Sequence, residues 1–362
     1  MTDRITRRAL IALFPTGLAA TADKQKKAKP LPIGGEFVRF ADPTTENMVV
    51  RLTALTSNSY LPQPPSRFIS IKGRFLVFSS DRQGKPMPYQ VDLRNGVLRN
   101  VAETADLDRE SLCLVEKKDI LYFKDADSLI EANLSNRKIR TIAREVDAFG
   151  VDETGTALYV VRKGKLEQVL ANESIPVAEN VTPPCMVRPG GRGCLFQRDV
   201  SSESREFWYA PPPDSGAEPV RLAGGRVSDP FWSEAGDSVI FLRDLPKGNA
   251  LISEIHQVQV DKPVENCIAP TSQFASFAPN KDGSVFVGAS RSKAQPNVIL
   301  LLRSAQREMT LCEHRASHPA SVTPAFSPDS RRVYFQSDHQ GKSAIYSVNI
   351  ELLVEPTESG VG

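Results

Sequence analysis

TPAFSPDSRRVYFQSDHQGKSAIYSVNI, residues Thr323 to Ile350, holds three β-rich runs separated by turn chemistry. Pro324-Ala325-Phe326 enters the turn Ser327-Pro328-Asp329-Ser330, and Arg332-Val333-Tyr334-Phe335 and Ala344-Ile345-Tyr346-Ser347-Val348 follow as strands. Ser, Pro and Asp favour turns, by local hydrogen bonding or by fixing φ, whereas β-branched and aromatic side chains fit a pleated surface. Three strands are one fewer than a four-stranded propeller blade needs.

The same unit recurs upstream. An apolar residue, a polar turn and a β-rich strand appear at Ile71 (IKGRFLVFSSD), Val115 (VEKKDILYFKD), Val151 (VDETGTALYVVR) and Val187 (VRPGGRGCLFQRD). They appear again at Trp232 (WSEAGDSVIFLRD), Phe277 (FAPNKDGSVFVGAS) and Phe326 (FSPDSRRVYFQSD), which makes seven copies spaced 36–49 residues apart. A blade takes roughly 40–50 residues. Third strands follow at Tyr89 to Leu93, Ser128 to Ala132 and Ile252 to Val260, and fourth strands at Leu98 to Ala102, Ile139 to Ala143, Pro219 to Ala223 and Glu308 to Cys312.

The last copy stops at its third strand. Near the N-terminus, Met48 to Thr53 (MVVRLT) has the fourth-strand pattern of Glu218 to Ala223 (EPVRLA), and Glu36 to Phe40 reads as a strand before it, across the turn-rich Asp42 to Asn47. The fold class expected is therefore all-β: a seven-bladed β-propeller over residues 36–353, closed by an N-terminal strand that completes the last blade. Closure removes the open sheet edges that invite aggregation. No stretch past the first segment sustains a 3.6-residue apolar period, so helix should be minimal.

Residues 1–22 (MTDRITRRALIALFPTGLAATA) combine a basic start, an apolar run from Ala9 to Ala20 and small residues before a cleavage point after Ala22. That is the pattern of an export signal peptide. Thr6-Arg7-Arg8-Ala9-Leu10 fits the twin-arginine type, and a general secretory signal with adjacent arginines is the other route. The run is too short to span a bilayer of about 30 Å, so no membrane span is expected. Residues 23–35 (DKQKKAKPLPIGG) read as a flexible leader and 354–362 as a flexible tail. The expected location is periplasmic or secreted.

Charge excludes one class of partner. The chain has 45 basic and 43 acidic residues, and cleavage after Ala22 would leave 42 of each, so no field of one sign draws it to nucleic acid. Of the five cysteines, none forms a C-x-x-C pair; Cys185 and Cys194 flank a Pro189-Gly190 turn, where they are either a cross-hairpin disulfide or two buried thiols. A monomer without a resident cofactor is expected.

Ligands of a propeller enter at loops around its axis. The loops between second and third strands carry Arg82, Arg162, Arg198, Arg243 and Arg291 at corresponding places, and guanidinium groups pair well with carboxylates and phosphates. Their neighbours Asp81, Asp125, Asp199, Asp244 and Asp338 suit hydrogen bonds to turn backbone. Two long inter-blade loops, Thr56 to Arg67 with Tyr60 and Glu313 to Thr323 with His314 and His318, are further places for function. His314 and His318 have the four-residue spacing of metal ligands on a helix, but Pro319 opposes a helix. His256, within a third strand, and His339, in a loop, show no ligand spacing.

The repeats FSPDSRRVYFQSDHQGKSAIYSVNI and FLVFSSDRQGKPMPYQVDLRNGVLRNV resemble the TolB-type, WD40-like propeller repeat. Within that group DPTTENMVVRLTAL, the blade order and Phe231-Trp232 resemble the oligogalacturonate lyase propellers, over most of residues 36–353. That resemblance implies a metal such as Mn²⁺ held by histidines and a glutamine, and a further histidine that takes the proton beside a uronate carboxylate. In this chain the metal-binding run falls on His318, Ser321 and Thr323, and two further family histidines fall on Asp229 and on or near Arg198. Hydroxyls do not replace imidazoles as tight metal ligands.

The first functional reading is accordingly an exported, non-catalytic propeller with a loop-face site for an acidic carbohydrate. A second is metal-dependent β-elimination on oligogalacturonides, with Asp229 and His318 toward Mn²⁺ or a similar cation and Arg198 or Tyr60 near the substrate carboxylate. A third is a TolB-like scaffold that binds a cell-envelope protein.

Overall fold

The computed structural model describes residues 34–351 and 353, apart from 172, 249 and 272. The segment expected to be an export signal, nearly all of the expected leader and the expected tail therefore lie outside the described residues.

Middle strands such as Phe75–Ser80 and Val285–Ser290 are buried at almost every position, without the alternation of a half-exposed sheet. Each blade is covered on both faces by neighbours, so its middle strands have no solvent side. The described residues form seven antiparallel sheets, six of four strands and one of five. They make a seven-bladed β-propeller. First strands of adjacent blades meet: Ala148–Val151 touches Thr182–Val187, and Phe274–Pro279 touches both Val227–Trp232 and Ala325–Phe326. These inner strands surround a central channel.

The ring closes as the sequence predicts. Met48–Arg51 is the fourth strand of the last blade, with Val49 opposite Val348, Val50 opposite Ser347 and Arg51 opposite Tyr346. Val38–Ala41 then adds a fifth, outermost strand to the same sheet. The turn between them is a clasp onto blade six. Buried Asp42 accepts N–H bonds from Thr44 at 3.1 Å and Thr45 at 3.0 Å through one oxygen, and from Glu313 at 3.0 Å through the other. Thr45 Oγ1 and Asn47 Nδ2 each donate to the Leu311 carbonyl at 2.8 Å. Burial works against ionising Asp42, but these donors outweigh it and hold its carboxyl below the usual range.

Three of the five repeat aspartates act on backbone, whereas Asp244 takes the side chains of Ser253 and Arg291 and Asp199 faces Arg205. Asp81 accepts the Asn58 N–H at 2.7 Å, Asp125 those of Ala105 and Asp106, and Asp338 that of Ser317 at 2.8 Å. Each fastens the loop that leads into the first strand of its own blade. Cys185 and Cys194 are free, buried thiols, and burial followed by the neighbouring Cys185 pushes the Cys194 thiol well above its ordinary pKa. Among the described residues no helix is long and apolar enough to cross a membrane.

Candidate functional site

The channel holds a cavity of about 590 Å³, walled by the inner strands and lead-in loops of blades one to five. Aromatic and proline faces from Pro65, Phe149, Pro184, Phe231 and Trp232 share this wall with Arg67, Lys124, Gln197, Arg205 and Asp229. Mixed apolar faces and sparse polar groups are the usual make-up of a small-molecule site.

Several of these polar groups are already engaged. Arg67 crosses from blade one to donate to the carbonyls of Val151 and Asp152, both at 2.9 Å, and of Leu114 at 3.3 Å. It holds inner strands together. Lys124 Nζ lies 3.2 Å from Asp108 and donates to the Asp147 carbonyl at 3.1 Å, and the Gln197 amide donates to the Pro183 carbonyl. Arg205 is the loosely held cation, 4.0 Å from Asp199.

Asp229 stands at a bulge where Ser228 pairs with Leu242 and the next partner of the strand is Phe231. Its φ of 48° is left-handed, a conformation that Asp tolerates better than most residues. Among the described residues one hydrogen bond reaches its carboxyl: from Ser228 Oγ, at 3.4 Å. Burial therefore pushes the Asp229 pKa up to about 6, against the Ser228 hydrogen bond and the Arg205 charge, with Asp244 adding a further upward push. Such left-handed, desolvated residues concentrate at functional sites.

The five loop arginines lie elsewhere, and none of them lines this cavity. Four hold carboxylates of the protein: Arg82 with Glu36 at 2.9 Å, Arg162 with Glu167 at 2.6 Å, Arg243 with Glu265, and Arg291 with Asp244 at 2.7 Å. Arg198 instead lies 4.2 Å from the Trp208 ring centre and donates to the Glu179 carbonyl at 3.0 Å. Tyr60 sits under the Arg109 guanidinium, 4.2 Å away.

His314 is fully buried. Its Nδ1 accepts the Ala316 N–H at 3.0 Å, which leaves Nε2 to donate to the Ser290 carbonyl at 3.2 Å. Burial depresses its pKa. His318 precedes the short turn Pro319–Ser321 and its carbonyl accepts from Ser321. Asp229, His318 and Arg198 are not brought to one cavity: Asp229 alone of the three lines the channel. The residues that do line it, Arg67, Lys124 and Arg205, lie outside the loops where the arginine pattern was found. Arg67 ends the long loop from Thr56, whereas Lys124 lies in a second strand, Ile120–Asp125, and Arg205 opens a third strand, Arg205–Ala210, places that carry no sequence signal of their own.

No family model matches the chain, and no curated protein sequence does. Solved structures do. An oligogalacturonate lyase in complex with manganese has a TM-score of 0.79 at 16% identity, covering 89% of this chain and 98% of that one. The oligogalacturonate lyase of Vibrio parahaemolyticus has a TM-score of 0.75 at 17% identity, covering 91% and 100%. Hydrazine synthase of Kuenenia stuttgartiensis has a TM-score of 0.55 at 16% identity, covering 79% and 95%. At these identities the likeness is one of fold, the seven-bladed propeller, and leaves open the chemistry.

Proposed function

We propose that this chain is an exported, non-catalytic propeller that binds a carboxylate-bearing carbohydrate in its central channel. The observation that carries the reading is the placement of Arg205 and Asp229 on the wall of one cavity together with aromatic and proline faces. A guanidinium whose carboxylate partner, Asp199, stands as far as 4.0 Å can turn to pair with a uronate. A protonated Asp229 donates a hydrogen bond to the same group, whereas an ionised one repels it. Binding should therefore be tighter at pH 5 than at pH 7.5.

Two observations weigh against elimination chemistry. Both ring nitrogens of His314 are used by the backbone, and His318 does not share the cavity with Asp229. Export rests on residues 1–22 and would place this binding activity in the periplasm or outside the cell.

Titration calorimetry with oligogalacturonides at both pH values tests the proposal. The expected result is saturable binding that weakens roughly 10- to 100-fold in Arg205→Ala, as loss of a charged hydrogen bond implies. Absence of binding at either pH, or equal binding by the variant, would overturn it. Formation of an unsaturated product in the presence of Mn²⁺ would overturn its non-catalytic part.

A further inference from the structure

His256 and Cys267 face each other across the third and fourth strands of blade five, Ala250–Gln259 and Glu265–Thr271. Two residues before His256, on the same face of its strand, stands Glu254. A carboxylate oxygen of Glu254, a ring nitrogen of His256 and the Cys267 sulfur all lie within 4.8 Å of one another. We propose that these three side chains bind a borderline-soft divalent cation, with Zn²⁺ the best chemical fit. Imidazole nitrogen, thiolate and a single carboxylate are a zinc ligand set, and three protein ligands leave a fourth position for water.

The surroundings are those of a supported site. His256 Nε2 points at Glu254 Oε2, 2.9 Å away, so a cation between them replaces the proton they share. On the far side of the ring, Nδ1 lies 2.7 Å from Glu265 Oε1. Glu265 is itself held by Arg243, whose Nη2 donates to Oε2 at 2.6 Å and whose Nη1 reaches the Gly224 carbonyl of blade four at 3.1 Å. A carboxylate aligned with the non-ligating nitrogen orients a metal-binding histidine and raises its basicity; here Glu265 is within reach of Nδ1 but not yet in hydrogen-bond alignment with it. The Phe241 ring, centred 6.0 Å from that of His256, packs beside the imidazole.

Charge points the same way. Of the fixed charges around the site, Arg243 offsets one of the two glutamates and leaves one negative charge. A divalent cation and a Cys267 thiolate bring the set to neutrality, releasing the thiol proton. Cys267 is exposed, so the position is open to solvent. It is also distinct from the channel cavity, which none of these residues lines.

The test uses the full chain loaded with Zn²⁺ or Co²⁺ and freed of excess metal. Elemental analysis should find one Zn²⁺ per chain, and the Co²⁺ form should show a thiolate-to-metal charge-transfer band with tetrahedral ligand-field intensity. Cys267→Ser should abolish that band, and His256→Ala should release the metal. Glu265→Gln, acting through His256, should keep the band but weaken affinity about 10- to 100-fold. The absence of retained metal or of the band in the unmodified chain overturns the proposal. So does equal retention by Cys267→Ser and His256→Ala, and either result would leave His256 as a structural clamp between two glutamates.

Discussion

Arg291 of blade six holds both carboxylate oxygens of Asp244 of blade five, at 2.7 and 2.9 Å, while its Nε donates to the Phe274 carbonyl at 2.9 Å. A side chain in that position joins two blades and has little left to offer a ligand. Arg291→Ala should lower the unfolding free energy by about 1–2 kcal/mol, a value tempered by partial exposure of the pair. Urea denaturation would measure the loss. Oligogalacturonide affinity should stay unchanged, in contrast with Arg205→Ala.

Asp229 has a folded pKa of about 6 against 3.8 for the free side chain. The folded state thus holds this proton more tightly than the unfolded chain does. The stability it contributes is full below pH 3.8 and is lost as pH rises through 6. Asp229→Asn removes the penalty of ionisation and keeps a residue that accepts left-handed φ. Above pH 6 the variant should be more stable by on the order of 1–3 kcal/mol, with the gap shrinking toward pH 4. Thermal melts from pH 4 to 8 would show it, and a gap independent of pH would count against the assignment.

Thr323, on the lead-in to the last blade, is buried, has a φ of 45°, and its Oγ1 has no hydrogen-bond partner among the described residues. A β-branched residue in that region carries strain of roughly 1–2 kcal/mol. Thr323→Gly relieves the strain and removes the orphaned hydroxyl, at some cost in chain entropy. A net gain of about 0.5–1 kcal/mol is expected by chemical denaturation. A loss larger than that gain would mean that the threonine side chain positions the loop.

Deleting residues 34–53 should expose the edge of the last blade along Tyr346–Val348, which Val49 to Arg51 cover in the intact ring. An unpaired edge is a template for another chain. Light scattering should find concentration-dependent association, and hydrogen exchange should quicken in Ala344–Asn349. A monomer with an unaltered melting curve would show that the strand does not close the ring.

The architecture was legible because each blade repeats one local solution: a turn of Ser, Pro, Asp and Gly followed by an apolar run buried on both faces. The incomplete copy at Thr323–Ile350 and the orphan strand at Met48 completed each other on pattern alone. The fifth strand at Val38–Ala41 was legible as a strand but not in its place, since an outermost strand needs no partner motif. The site was less legible. Arginines at matching loop positions suggested a ring of free cations, yet carboxylates occupy four of them: Glu36, Glu265 and Asp244 come from other segments, and Glu167 from across the same hairpin as Arg162. The same holds for Glu254, His256 and Cys267. Their spacing along the chain says nothing, and only strand register brings them together.

Closure between the two ends also sets a clock for synthesis. Thr53 and Ile345, which meet through the hydrogen bond from the Ile345 N–H to Thr53 Oγ1, are 292 residues apart. At about 5–20 residues per second, the first-made strand waits roughly 15–60 s before its partner exists. For that interval the nascent protein is an open arc of finished blades with one unmatched ribbon at its start.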